Sequence, residues 1–464
     1  MAPSTALVWF RRDLRVHDHP ALSAAAAAHE QVLGVFVLDP ALLEATGRGR
    51  SSNRTAFMLA CLAELREALR ARGSELVIRR GNPVDVLAAL AAEAGASTVL
   101  WTSDVSPLAR RRDTAVTAAL RGAGVAARPQ SGAYVADPSK PRTAAGEPFA
   151  AFTPFERVWE RQERRAVLGA PATLGAGRWE LEAGELPELA DPLPDPVARP
   201  GEAAARAALE RALAGAVPAY GEDRTLDGGS TVLSPHLRWG TLSARETEER
   251  LLALGGTGAA RVRRQLAWRD FCAHLTLTDP GSLRRGIKAV GSRVRFDEHP
   301  DRLAAWQEGH TGYPLVDAGM RELATRGWMH NRARMVTGSF LVHDLHLHWH
   351  AGEEHFARLL YDAEPAQNAR NWQWVAGVGA DPAPFLRIFN PVTQAREHDP
   401  DGAYVRRFVP ELAGLPTALL FEPWTAPPAA QEAYGCVVGR DYPAPMVDHA
   451  AERADSLARY EAAA

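Results

Sequence analysis

Four places in the 464-residue chain group side chains that could do chemistry. The first is Gly228-Gly229-Ser230-Thr231-Val232-Leu233-Ser234-Pro235-His236-Leu237. Glycines let a backbone approach a ligand, two hydroxyls follow them, and Ser234-Pro235 has the cap and first-turn chemistry of a helix start. Free N–H groups and the positive end of the helix dipole would face an anion, making a phosphate cradle; a capped loop without a ligand would read the same way. The second, Gln265-Leu266-Ala267-Trp268-Arg269-Asp270-Phe271, offers an aromatic face flanked by arginines. That suits a stacked nucleic-acid base with phosphate partners around it, or a core tryptophan on an amphipathic helix. The third, Gly327–Trp374, holds four of the twelve tryptophans, at 328, 349, 372 and 374. A helical reading sets Met329, Arg332 and Val336 on one face and Asn331, Arg334 and Met335 on the next. Polar groups turned inward beside Trp need partners, because an unpaired buried amide costs roughly 2 to 7 kcal/mol. A large planar ligand with polar edges would supply them; so would a Trp-rich core with arginines at its rim. The fourth is His343, His346, His348 and His350, with Glu353 and Glu354 near. Histidines 346 and 350 are four apart, yet four histidines on one helix point in different directions, so no metal is expected.

The elements that must carry these groups follow from periodicity. Ala6–Phe10, Val32–Asp39, Glu75–Arg79 and Thr98–Thr102 read as short apolar strands. Asn53–Arg72 and Pro83–Ala94 show helical spacing between them, and Ser106–Arg121 follows the fourth. Alternating strands and helices predict a parallel sheet covered on both faces. No Gly-x-Gly-x-x-Gly follows the first strand, so a dinucleotide-type phosphate turn is not expected there. Residues 147–155 close this first domain. Residues 170–203, with prolines at 171, 187, 192, 194, 196 and 200, read as a linker wrapping the surface. From Glu202 onward the pattern is helical, with no convincing strand. Domains are therefore expected at 1–135, 204–464 and a connecting 136–203.

Hydrophobic residues make up 46% and charged residues 23%, the balance of an ordinary globular protein. The net charge of −3 is unevenly placed: Arg261–Arg295 holds nine basic residues against Asp270 and Asp279. A local basic field can bind phosphates on a slightly acidic protein. Three distant cysteines, 61, 272 and 436, exclude a disulfide framework and suit a reducing cytosol. No apolar stretch approaches the ~18 residues of a membrane span, and the N-terminus lacks the layout of a signal peptide. A cytoplasmic location is expected.

WMHNRARM (328–335), QNARNWQW (367–374), FLRIFNP (385–391) and VWFRRDLRVHDHPAL (8–22) together resemble the photolyase/cryptochrome family, most closely its class I cyclobutane pyrimidine dimer photolyases. The resemblance implies an α/β protein with an N-terminal Rossmann-like parallel-sheet domain followed by an all-α FAD-binding domain. It implies FAD, working as FADH⁻, and an antenna, a deazaflavin or a methenyltetrahydrofolate. Asp39, Arg48–Arg54 and Asp104 suggest antenna loops, although Ser106 stands where deazaflavin-binding relatives often have an acid. By the same resemblance the diphosphate falls to Tyr220, Ser230, Thr231, Val232, Leu233 and Ser234, with the hydroxyl pair inverted from the family's order. Arg334 and Asp362 pair at the isoalloxazine, followed by Ala363 and Glu364, and Asn368 lies beside the flavin N5. Trp268 and Trp374 wall a pocket for an extruded dimer, since photolyases are among the enzymes that take a base out of the stack. Asn331, Arg332, Met335 and Gln265 meet the lesion, Gln265 standing where dimer-repairing relatives usually have Glu. Arg224 and Gln394 meet DNA. Trp372 and then Trp349 relay electrons to the flavin, and the family's third tryptophan is Phe296 here. The partner is UV-damaged DNA, the protein a monomer, and the activity light-driven dimer splitting by electron transfer. Photoreceptors of the family often carry a long C-terminal tail, which is not expected here. Enzymes for (6-4) photoproducts place histidines where Asn331 and Met335 stand.

Overall fold

The computed structural model describes residues 3–43, 51–175, 181–188, 196–222, 225–226, 228–380 and 386–464. Five parallel strands, β1 (Thr5–Phe10), β2 (Gln31–Leu38), β3 (Leu76–Arg80), β4 (Ala96–Thr102) and β5 (Ala126–Gln130), form one sheet in the order β3-β2-β1-β4-β5. Every residue of β1 is buried, as a strand covered on both faces requires. Four longer helices alternate with the strands, α1 (Pro20–Ala28), α2 (Ser52–Arg70), α3 (Pro83–Glu93) and α4 (Pro107–Gly122), and a single helical turn at Pro40–Leu43 follows β2. Two elements escaped the periodicity. PALSAAAAA of α1 is too alanine-rich to show a polar face, and AARPQ of β5 is a half-exposed edge strand in which proline is tolerated.

One sheet face packs on α3 and α4 through Trp9, Leu87, Val116 and Trp101. The other shares a core with the helical part of the chain, because Trp239, Trp328 and Tyr361 join Phe36, Phe57 and Leu62 there. Phe57 and Tyr361 stack at 5.1 Å.

The segment read as closing the first domain at 147–155 runs into α5 (Phe152–Arg161), whose Phe152, Phe155 and Trp159 pack in one core with Leu266 and Phe271 of the later helix α7 (Gly256–Thr278). The described pieces of 170–203 run along the sheet domain: Val32 N–H donates to Leu174 O and Ile78 N–H to Ala183 O. Beyond Glu202 the described elements are helical apart from two isolated bridges, Asp297–Leu347 and Val438–Tyr442. Those that position the site are α6 (Ser234–Trp239), α7, α8 (Asn331–Ser339), α9 (Trp349–Leu359), α10 (Pro365–Val375) and α11 (His449–Ala463). The three cysteines are free and buried.

Candidate functional site

Helix α8 starts at Asn331 because the His330 side chain accepts from Arg332 N–H. Met329 therefore lies before the helix, in the core, and does not share the face once assigned to it with Arg332 and Val336. Arg334 in its first turn donates from Nε to Met329 O at 2.7 Å and from both Nη atoms to Asp362 at 3.2 and 2.8 Å. The fork fixes the guanidinium plane as well as its position. Ser234 Oγ donates to the same carboxylate at 2.6 Å, bringing together residues 128 positions apart. This corrects the reading of Ser234 as a helix cap: α6 begins after Leu233 with no side-chain cap, because the hydroxyl is committed to Asp362. At six residues α6 also lacks the aligned dipoles of a long helix. The cradle is shaped instead by its loop. Gly229 (φ 63°) and Val232 (φ 51°) both turn left-handed, and Ser230 Oγ accepts from Val232 N–H. A β-branched residue there costs of order 1–3 kcal/mol and persists only where surrounding structure imposes it. Tyr220, half-buried, accepts at its carbonyl from Arg261.

Glu364 caps α10 by accepting from Gln367 N–H, and its other oxygen takes Arg12 at 3.0 Å. Its carboxylate is thus committed across the domain interface and is removed from the set facing a ligand. Ala363 is buried and its carbonyl accepts from Arg238. Asn368, one turn into α10, donates both amide hydrogens to Glu353, to the carbonyl at 2.9 Å and the carboxylate at 3.1 Å. The amide oxygen is then the end that Asn368 offers outward. Glu353 is buried, and its reach to Asn368, fifteen residues on, has no periodic signature.

Trp372 and Trp349 lie in the helical core. The rings beside Trp372 are Phe356 at 5.0 Å and Trp306 at 6.2 Å, while Trp349 stands against His348 and His350. Helix α9 reaches Trp372 because Gly352 has no side chain. A Cβ there would sit 2.5 Å from Trp372 Cζ3 and 2.6 Å from Leu341 Cδ2. Gly352→Ala is expected to cost about 1–3 kcal/mol through overpacking and to displace the Trp372 indole. A lowered Tm with altered near-UV circular dichroism checks this; an unchanged pair of readings would show that the helix yields without strain.

On the outer side, Gln265 is exposed and Trp268 half-buried, its ring stacked on Phe152 at 3.8 Å and 7°. Trp374 is half-buried, with Arg387 over its face at 5.1 Å and Phe389 at 6.5 Å. Helices α7 and α10, which carry the two tryptophans, pack together. Asn331 is exposed and its amide meets Met335 Sδ at 3.7 Å; Arg332 is half-buried one residue on. Gln394 Nε2 reaches Glu397, and its Oε1 is buried without a partner. Arg224 lies outside the described residues.

The local basic field expected at 261–295 is cut back by internal pairing. Arg263 pairs with Glu248 and Glu160, Arg264 with Glu156 and Arg285 with Asp279, while Arg269 is buried on the carbonyls of Ala133 and Leu237. Among the described residues, Arg284, Arg293 and Arg295 are exposed and make no ion pair. They sit on a segment tied beside Trp374 by Ile287 and Lys288 N–H donating to Val378 O.

At the carboxyl ends of β1 and β4, Arg12 bridges Asp104 and Glu364 at 3.0 Å each. Burial would raise the Asp104 carboxyl, but Arg12 and Arg11 outweigh it and hold it at about 2. Burial lowers the Arg238 guanidinium to about 9. Arg238 Nη1 and Tyr134 Oη are buried there without a partner among the described residues. Ser106 caps α4, and Asp39 accepts from Ala41 N–H. Arg54 donates to Ala357 O, and residues 48–50 lie outside the described set.

The four histidines do not share one helix. His343 lies in a π turn (Phe340–Asp344), His346 is left-handed (φ 54°), His348 caps α9 and His350 is inside it. His343 spends both nitrogens, on Ser456 Oγ and Val375 O.

A parallel sheet thus meets a helical domain through the buried ionic seam of Arg12, Asp104 and Glu364, and Ser234 ties the left-handed loop to the Arg334–Asp362 fork, an arrangement suited to an anionic ligand. Family comparison gives the cofactor. Residues 6–173 match the DNA photolyase model and residues 262–462 the FAD binding domain of DNA photolyase. The chain is 39% identical to the deoxyribodipyrimidine photo-lyase of Streptomyces griseus, over 97% of this chain and 98% of that one. It is 36% identical to that of Agrobacterium fabrum, over 98% and 97%. A bacterial class III photolyase from Agrobacterium tumefaciens superposes with a TM-score of 0.92 at 35% identity, over 100% of this chain and 98% of that one. The chain belongs to the photolyase/cryptochrome family. Its second domain is an FAD-binding domain, and no helix among the described residues is long and apolar enough to cross a membrane.

Proposed function

We propose that the protein is a light-driven DNA repair enzyme that splits cyclobutane pyrimidine dimers with reduced FAD, and that residues 1–135, 136–203 and 204–464 are its antenna domain, connection and catalytic domain. The observation that carries this reading is on α10. Asn368, its amide held by Glu353, follows Asp362 of the Arg334 fork by six residues, and the same helix presents Trp374, six residues later, as a half-open aromatic wall. Tyr220, Ser230, Thr231, Val232, Leu233 and Ser234 would hold the diphosphate; Arg334, Asp362, Ala363 and Asn368 would hold the ring system. The left-handed loop and the outward Asn368 oxygen fit such a group. Bound there, reduced flavin would supply the one-electron chemistry that opens the dimer ring. The chain's own part is to position and to keep out water. Trp268, braced by Phe152, and Trp374 sandwich the extruded bases; Gln265, Asn331, Arg332 and Met335 contact their edges; Arg224 and Gln394 meet the strand. An antenna chromophore is supported by the unpartnered Arg238 Nη1 and Tyr134 Oη at the domain seam. Illumination of the protein with UV-irradiated DNA should remove cyclobutane dimers and leave (6-4) products. Loss of (6-4) products alone, or of neither lesion, would refute the reading.

Asn368 is proposed to set which flavin form light accumulates. Asn368→Asp loses both donors to Glu353 and brings a second carboxylate to that buried acid, which disfavours ionisation of one of them. Blue-light absorption spectra should show a different accumulating form in Asn368→Asp. Identical spectra would remove Asn368 from the flavin.

DNA binding is proposed to rest on cations without internal carboxylate partners. Arg284→Ala with Arg293→Ala should lower the slope of log K against log salt by about one unit per lost phosphate contact. The double change Arg263→Ala/Arg264→Ala, which removes arginines already paired, should lower it less. Equal slopes in the two pairs would show that the DNA face has been misplaced.

A further inference from the structure

We propose a first-row transition-metal site at the seam between the π turn and α11, formed by His346, Glu452 and Asp455. His346 Nε2 lies 2.7 Å from Glu452 Oε2 and 3.3 Å from Asp455 Oδ2, and one ligand atom from each residue falls within 4.8 Å of the others. Glu452 and Asp455 are three apart on α11, so helix geometry puts both on the face that meets His346. An imidazole nitrogen with two carboxylate oxygens is a donor set for zinc and its neighbours rather than for magnesium, which prefers oxygen alone. Two carboxylates neutralise a divalent charge, and the exposed Asp455 leaves one side open for water ligands. A separate observation points to a cation. Asp344, two residues before His346 and fully buried, keeps one carboxylate oxygen without a hydrogen-bond partner among the described residues, although His449 takes the other. Asp344 thus adds a third carboxylate to the seam, beside the pairs His346–Glu452 and Arg459–Asp455. Arg459 is the internal competitor, donating to Asp455 while its fork engages Asp297. Bound metal would clamp α11 to the segment that leads into Trp349, at a distance in sequence from the residues assigned to flavin and DNA.

The probe is Zn²⁺ added to the full-length flavoprotein, read by isothermal titration and by Tm, with Mg²⁺ in parallel. One equivalent of Zn²⁺ should bind and raise Tm, and Mg²⁺ should do neither. His346→Asn keeps a residue that tolerates the left-handed backbone, and Glu452→Gln is a half-exposed isosteric change. Each removes a direct ligand and should weaken Zn²⁺ by at least the roughly 10- to 100-fold typical of lost supporting partners. Flavin absorbance should be the same in all three proteins. Failure of wild type to bind one equivalent, or undiminished binding in both variants, overturns the site.

Discussion

Asp362→Ala is expected to yield a protein that no longer retains flavin. The carboxylate is the single acceptor for the Arg334 fork and for Ser234 Oγ, and its side chain is 2% exposed. Its loss leaves a guanidinium, 24% exposed, without its anion and frees the hydroxyl that ties the cradle loop to α10. Breaking a buried pair by removing one partner costs about 3–5 kcal/mol, and the partial exposure of Arg334 places this one toward the lower end. Two consequences should separate. The Tm of flavin-free protein should fall, and flavin affinity should fall further, because loop and fork both lose their position. Asp362→Asn keeps one acceptor and should recover part of each. Flavin stoichiometry after gel filtration decides it: full retention by Asp362→Ala would mean that the pair supports the helices and not the cofactor.

Phe296→Trp is expected to turn inefficient flavin photoreduction into efficient photoreduction. Phe296 is half-buried and meets His348 edge-on at 4.8 Å, and His348 lies over Trp349 at 5.7 Å. The position next outward from Trp349 is thus filled by a ring that does not give up an electron as indole does, its highest filled level lacking a nitrogen lone pair. A hole reaching Trp349 stays near the flavin and recombines. Trp306, 6.2 Å from Trp372, does not provide an exit: it is fully buried, with its N–H on Thr337 O. Transient absorption should show a longer-lived Trp radical in Phe296→Trp, and dimer repair by flavin already reduced should be unchanged. A wild-type protein that already forms a long-lived surface radical, indifferent to the substitution, would sink the inference.

Much of this architecture was legible in the sequence because burial is periodic. Strands covered on both faces read as unbroken apolar runs, and the helices beyond Glu202 repeat every three to four residues. The Gly-Gly-Ser-Thr loop and the tryptophan cluster could be singled out from residue type, whereas the Arg334–Asp362 pair followed only from the resemblance to the family. Periodicity reports which face a residue is on, and says nothing of which polar atom lies 3 Å away. Glu364 looked like a ligand-facing acid and is held by Arg12, 352 positions earlier. Ser234 looked like a cap and serves Asp362; Glu353, named only for its nearness to the histidines, orients Asn368. The arginines of α7 looked like one field until carboxylates on α5 and a neighbouring helix neutralised two of them. Hydrogen bonds and ion pairs are short-ranged and directional, so their partners are chosen by the packing of distant segments. Residue order made most of the elements and the inventory of reactive groups readable; the packing of distant segments chose which of those groups stay open to a ligand.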